Sequence, residues 1–92
     1  MTNYEILVSQ TAAKELRNLE ISLQERIKEK LRELAKDPGN NTGRLDVRKL
    51  AATGRNYSRL RVGDYRVIFF VEENAVKVVR IAKRSDVYTW LD

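Results

Sequence analysis

The spacing of apolar residues changes period once along this chain, and the change divides it into two kinds of structure. Ala12, Leu16, Leu19 and Leu23 are separated by four, three and four positions, and Leu23, Ile27, Leu31 and Leu34 carry the same stripe onward. That spacing puts one apolar face on helices that pack against a core. Beyond Asn56 the pattern becomes short runs rich in β-branched and aromatic residues: Tyr57 to Val62, Tyr65 to Glu72 and Ala75 to Ala82. The runs are joined by Gly63-Asp64 and Glu73-Asn74. Links this short predict an antiparallel meander.

Local signals refine the boundaries. Tyr4 to Val8 is a further β-prone run, and Ser9 after it offers an N-cap oxygen to a helix beginning near Gln10. Ser22 and Glu25 have the spacing of a capping box, which predicts a second helix opening just after Ser22. Arg26, Lys28, Lys30 and Arg32 alternate with Glu25, Glu29 and Glu33 as a solvated helical face would. Asp37-Pro38-Gly39 ends that helix, because proline lacks an amide donor and disfavours helix at the residue before it. Asp46 to Leu50 reads as a short strand, Ala51 to Asn56 as a turn with Gly54 at a positive φ, and Ser85 to Leu91 as a short helical turn capped by Ser85.

The expected fold is α+β, in the order β-α-α-β-β-β(-β), with a helical hairpin packed on one face of a small, mainly antiparallel sheet. A chain of 92 residues suits one domain, 1–92, burying roughly 60 to 65% of its unfolded surface. The segment Val67-Ile-Phe-Phe-Val71 is apolar at both parities, so both of its faces look for cover. Two helices cover one face fully. Either a partner docks on the other, or a curved sheet covers itself.

Composition removes several kinds of chemistry. The chain has no cysteine and no histidine. Disulfides, thiolate or imidazole metal sites, Ser-His-Asp triads and the two-histidine route to RNA cleavage are therefore closed to it. Neither metal nor cofactor is expected, and any catalysis must use Lys, Arg, Tyr, Ser or carboxylates. No window approaches the ~20 apolar residues of a membrane span, and the opening MTNYEILVSQ has no basic region leading an apolar one, so a cytoplasmic protein without membrane contact is expected.

Charge is segregated. Residues 1–43 hold 7 Lys/Arg against 7 Asp/Glu, whereas residues 44–92 hold 11 against 6, so the net +5 lies in the second half. A local cationic excess is the footprint of a polyanion site, usually for nucleic acid. Its centre is Tyr57-Ser-Arg-Leu-Arg-Val-Gly-Asp-Tyr-Arg66, which sets Arg59, Arg61 and Arg66 about one turn, while Arg84-Ser-Asp-Val-Tyr88 brings Arg84 and Tyr88 to the end of a later strand. Guanidinium groups match phosphate oxygens with two donors at once and do not titrate, so Arg59, Arg61, Arg66 and Arg84 are candidates for phosphate and transition-state contacts. Arg48, Lys49, Arg55 and Lys83 flank them as candidate RNA-binding cations. Tyr65 and Trp90 read as packing residues.

The sequence resembles the RelE/ParE superfamily of toxins from bacterial and archaeal toxin–antitoxin pairs. The resemblance rests on Ser9 before the first helix, Ala12 to Leu16, the hairpin ending at Asp37-Pro38, Lys49-Leu50, the run Leu60-Arg-Val-Gly-Asp-Tyr-Arg-Val67 and the closing Lys83-Arg-Ser-Asp-Val-Tyr88. It implies a toxin held in a complex with a cognate antitoxin. RelE-like members are ribosome-dependent endoribonucleases that cut mRNA, whereas ParE-like members inhibit DNA gyrase on the same scaffold. On the RelE-like branch the arginine of the strand before the turn carries to Arg59 or Arg61, that of the Tyr-Arg pair to Arg66, the C-terminal arginine to Arg84, and the tyrosine that stacks on a base or moves a proton to Tyr88. Where several RelE-like enzymes place lysines, this chain has Tyr57, Ser58 and Arg59. Arginine does not readily give up its proton. The general base is then Tyr88, Lys49 or Lys83, or catalysis rests mainly on positioning.

Overall fold

The structure, a computed structural model, describes residues 3–50 and 56–83. Within them the chain runs β1 (Glu5–Val8), α1 (Gln10–Arg17), α2 (Ile21–Lys36), β2 (Val47–Lys49), β3 (Ser58–Val62), β4 (Tyr65–Glu72) and β5 (Ala75–Lys83). The strands form one mixed sheet in the order β1-β5-β4-β3-β2, in which β1 runs parallel to β5 and every other pair is antiparallel. This is the α+β layer expected from the period change. The expected turn about Gly54 and helical turn at Ser85 to Leu91, with Trp90, lie outside the described residues.

Helix α1 begins where Ser9 directs it. The Ser9 Oγ accepts from the Ala12 amide at 3.1 Å and donates to the Val79 carbonyl at 3.0 Å, so one hydroxyl caps the helix and fastens it to β5. The capping box at Ser22 does not form. Helix α2 opens at Ile21 with Glu20 as a cap residue making no side-chain hydrogen bond, and Ser22 already lies in the first turn. The cause is the tightness of the hairpin: only Asn18, Leu19 and Glu20 separate the helices, and the Gln24 amide bonds the Glu20 carbonyl at 2.9 Å. The Gln24 side chain instead braces the connection, its Nε2 donating to the Leu19 carbonyl at 2.7 Å and to the Arg17 carbonyl at the end of α1 at 3.4 Å. At the far end Asp37 accepts from the Asn41 and Thr42 amides, each at 3.0 Å. These donors, Thr42 first, hold its carboxyl below the ordinary carboxylate range.

Strand parity sorts the side chains into two clusters. Leu60, Val62, Val67, Phe69, Val76, Val78 and Ile81 pack against Ala12, Ile27, Leu31 and Leu34 of the helices. Ile68 and Ala82 occupy the opposite face with Leu50, Tyr57 and Val79 around them. Ile68 is fully buried, so that face is partly self-covered, and a depression of about 250 Å³ lies on it beside Leu7, Phe70 and Val79. A bulge in β5 arranges this division. Phe69 lies opposite Val78 and Ile68 opposite Arg80, leaving Val79 outside the ladder.

Beyond the bulge β5 has outrun β1, whose ladder stops at Val8 opposite Val78. Helix α1 takes the vacated edge. The Glu15 carboxylate accepts from the Ile81 amide at 2.8 Å through one oxygen and from Arg80 Nε at 3.0 Å through the other, so a side chain replaces the missing strand. Glu15→Ala should therefore lose about 1–3 kcal/mol of stability, the cost of orphaning a part-buried amide, while Glu15→Gln, which keeps an acceptor, should recover much of it. Urea titration with an unchanged m-value checks this, and an alanine variant as stable as wild type contradicts it.

The two hairpin turns are unequal. Gly63 takes φ +60° as the first residue of a two-residue turn, which glycine does without strain. At the β4–β5 turn that left-handed conformation, φ +55°, falls to Glu73. Glu73→Gly should raise stability by about 0.5–1 kcal/mol, read as a later denaturation midpoint; an earlier midpoint contradicts it.

Candidate functional site

Alternation along β3 and β4 places the arginines on the sheet face turned away from the helices. Leu60, Val62 and Val67 enter the helix-side core, so Arg59, Arg61 and Arg66, one residue out of phase, take the other face. Pairing then sets them against each other. Arg48 lies directly opposite Arg59, and Arg61 directly opposite Arg66. Like charges facing one another across a ladder destabilise it. Two such pairs side by side on one face are not what stability alone selects.

The four guanidinium groups are not equally available. Arg48 and Arg61 are exposed. The Arg59 side chain is only 11% exposed and its Nη1 lies 3.5 Å from an Asp46 carboxylate oxygen. Arg66 is 5% exposed; its Nη1 donates to the carbonyls of Gly63 and Tyr65, each at 3.3 Å, and its Nε has no acceptor among the described residues. A buried guanidinium with an unused donor is a costly arrangement unless an acceptor arrives there. Arg61 Nε also reaches the Gly63 carbonyl, at 3.3 Å, so the β3–β4 turn gathers both members of the pair.

The flanking cations separate. Arg48 and Lys49 are consecutive on β2 and therefore point to opposite faces, Arg48 with the arginine row and Lys49 with Val47 and Leu60. Lys83 is exposed and lies opposite Tyr65, at the turn end of the sheet, whereas Lys49 lies opposite Ser58, at the far end of β3. Tyr65 packs on the helix-side core, as expected from its place after the turn. Arg55, Arg84 and Tyr88 lie outside the described residues.

Aromatic groups border the row. Tyr57 and Phe70 meet edge to face with centroids 5.7 Å apart, and the Lys77 ammonium sits 5.8 Å from the Phe70 ring centre. A cationic sheet face edged by aromatic rings suits phosphates and bases together. Among the described residues no cluster of acidic side chains gathers as a metal site. Sequence reasoning passed over two contributors. Glu15 braces β5 through Arg80, and Arg26 of α2 stands beside Gly63, its guanidinium nitrogens 3.8 and 3.9 Å from where a side chain there would begin. Neither has a local signal, because both depend on which helix residue faces which strand.

Comparison with known proteins gives a consistent result. Residues 6–88 match the family model described as the ParE toxin of type II toxin–antitoxin system, parDE. Toxin RelE3 of Methanocaldococcus jannaschii is 28% identical over 85 residues, covering 92% of this chain and 96% of that protein. RelE in the archaeal RelE–RelB complex of Pyrococcus horikoshii OT3 superposes with a TM-score of 0.77 at 28% identity, over 92% of this chain and 99% of that one. The isolated E. coli RelE toxin gives 0.72 at 26% identity, over 95% and 93%.

The opposed arginines make a joint prediction about stability and binding. Arg61→Gln relieves a cross-strand repulsion and should raise stability by about 0.2–1 kcal/mol while weakening binding to single-stranded RNA. Thermal denaturation together with an RNA titration checks both halves, and a variant that is destabilised yet binds normally contradicts both.

Proposed function

This chain belongs to the ParE toxin family of type II toxin–antitoxin systems, within the RelE/ParE superfamily, and from its RelE relatives we propose that it is a RelE-like endoribonuclease that cuts mRNA on the ribosome and so stops translation. The row of Arg48, Arg59, Arg61 and Arg66 carries the reading, since paired like charges on one face call for a polyanion to neutralise them. The RelE relatives in sequence and structure support this branch over inhibition of DNA gyrase.

Cleavage without a metal requires the 2′-hydroxyl to attack the adjacent phosphorus. The O–P bond forms as the 5′-oxygen bond breaks, leaving a 2′,3′-cyclic phosphate and a 5′-hydroxyl. One group takes the 2′ proton, another supplies a proton to the 5′-oxygen, and cations hold the charge that builds on the phosphorane. Arg61, exposed at the turn, binds the phosphate. Arg66, whose Nε has no acceptor among the described residues, meets the phosphorane from beneath, and Arg84, the residue after Lys83 in sequence, supplies a further cation. Tyr88 stacks on a base or moves a proton. Of the two lysines open as bases, Lys83 lies at the same end of the sheet as Arg61 and Arg66 but opposite Tyr65, so both it and Lys49 start from the helix side of their strands and reach the arginine face only around a strand end. Arg59, held by Asp46, orders the row, and Arg48, Lys49 and Arg55 contact the RNA backbone. The ribosome supplies the orientation that so small a site cannot impose alone.

The P. horikoshii and E. coli structures with RelB, the antitoxin, support a cognate antitoxin as the partner. In our reading an acidic, amphipathic segment of it folds over the toxin and brings carboxylates to Arg61, Arg66 and Arg84, closing the site to phosphate. The complex is heteromeric and cytoplasmic. Among the described residues no helix is long and apolar enough to cross a membrane.

Reconstituted ribosomes loaded with mRNA provide the test. Arg84→Ala should slow cleavage by well over tenfold, the scale of losing a transition-state phosphate contact. Tyr88→Ala should abolish it, and Tyr88→Phe should separate stacking from proton transfer. Arg66→Ala should slow it as much, with a folding control because that side chain is buried. Wild-type cleavage by both Arg84→Ala and Tyr88→Ala, or a chain that blocks gyrase supercoiling and cuts no mRNA, overturns the proposal.

A further inference from the structure

Helix α2 was expected to present a solvated face of alternating charges, and Arg26, its arginine nearest the site, is exposed as that reading has it. None of the ion pairs among the described residues lies within α2. Arg26 is exposed and makes no hydrogen bond or ion pair with a described residue, although Glu29 stands one turn away. Its guanidinium instead lies against Gly63, 3.8 to 3.9 Å from the site of a side chain there. Gly63 is also where Arg61 and Arg66 converge, both donating to its carbonyl. Three guanidinium groups from a helix and two strands therefore meet at one glycine. Among the described residues Arg61 donates only through Nε, which leaves its terminal amino groups for a ligand, as all the donors of Arg26 are left. The lack of a side chain at Gly63 keeps the gap between them open.

We infer that Arg26 and Arg61 together hold one phosphate of the RNA over the Gly63 turn, so that the strand leaves the arginine face across the rim of the sheet toward α2. This rests on the RNA reading above and extends its track to a helix. Asp64, the other residue of the turn, is exposed and makes no ion pair with Arg26; its carboxylate opposes the phosphate and limits the affinity of the contact.

The experiment is a fluorescence-anisotropy titration of a labelled 2′-O-methyl oligouridylate, which cannot be cleaved, over a series of sodium chloride concentrations. The proteins are wild type, Arg26→Gln, Arg26→Lys, Asp64→Asn and the control Lys28→Gln, which removes an exposed charge from the same helix. Each phosphate contact on a single strand contributes about 0.7 to the slope of log affinity against log salt. Arg26→Gln should lower the slope by about that amount, Arg26→Lys should retain most of it, Asp64→Asn should tighten binding, and Lys28→Gln should leave the slope unchanged. Equal slopes for wild type and Arg26→Gln, or equal losses in Arg26→Gln and Lys28→Gln, overturn the inference. A wild-type protein that shows the Arg26-dependent slope but cuts no mRNA on the ribosome overturns the nuclease reading and leaves the contact standing.

Discussion

The register between β3 and β4 is the constraint on which the rest depends. It is set by the two-residue turn at Gly63-Asp64, and because side chains alternate strictly, a slip of β3 by one residue would carry Arg59 and Arg61 into the helix-side core. Leu60 and Val62 would then face outward, and the same slip in β4 would exchange Val67 for Arg66. The free energy of burying the apolar side chains, against that of burying guanidinium groups, leaves only one register open. The position of the arginine row follows from apolar packing on the opposite face.

That row is a local conflict within an otherwise consistent fold. Apolar periodicity, turn chemistry and the Ser9 cap agree on one structure, whereas two pairs of like charges opposed across a ladder work against it. Asp46 relieves Arg59, and the Gly63 carbonyl draws in Arg61 and Arg66, yet a buried Arg66 donor stays unused among the described residues. Strain of this kind concentrates where a ligand completes the arrangement. A type II toxin must be neutralised while it waits, and a cationic face that is least comfortable alone is suited to accept either an acidic partner or a substrate.

The edges of the sheet show a different economy. β1 covers β5 only as far as Val78, and Glu15 of α1 satisfies the next exposed amide, so the hairpin of helices closes an edge as well as a face. The bulge at Val79 belongs to the same solution. By leaving one residue out of the ladder it keeps Val78 and Ile81, three apart in sequence, in the same core, while Val79 and Ala82 turn to the other side. The strand end that carries Lys83 is thus positioned by a helix sixty-odd residues earlier in the chain.

What the sequence determined by itself was everything governed by neighbours a few residues apart: the period change, the Ser9 cap, the end of α2 before Pro38, the short turns and the sidedness of the arginines. Those features depend on local backbone geometry and alternation, which a chain displays without folding. The capping box at Ser22 misled because the tight connection at Asn18 to Glu20 started α2 earlier, a demand of hairpin packing that no local pattern records. Only the tertiary structure decided that Arg48 faces Arg59, that Arg66 is buried, that Lys49 parts from Arg48, and that Arg26 and Glu15 reach strands far along the chain. Such contacts are chosen by register and by the docking of helices on the sheet, and these are fixed by the burial of apolar surface over the whole domain.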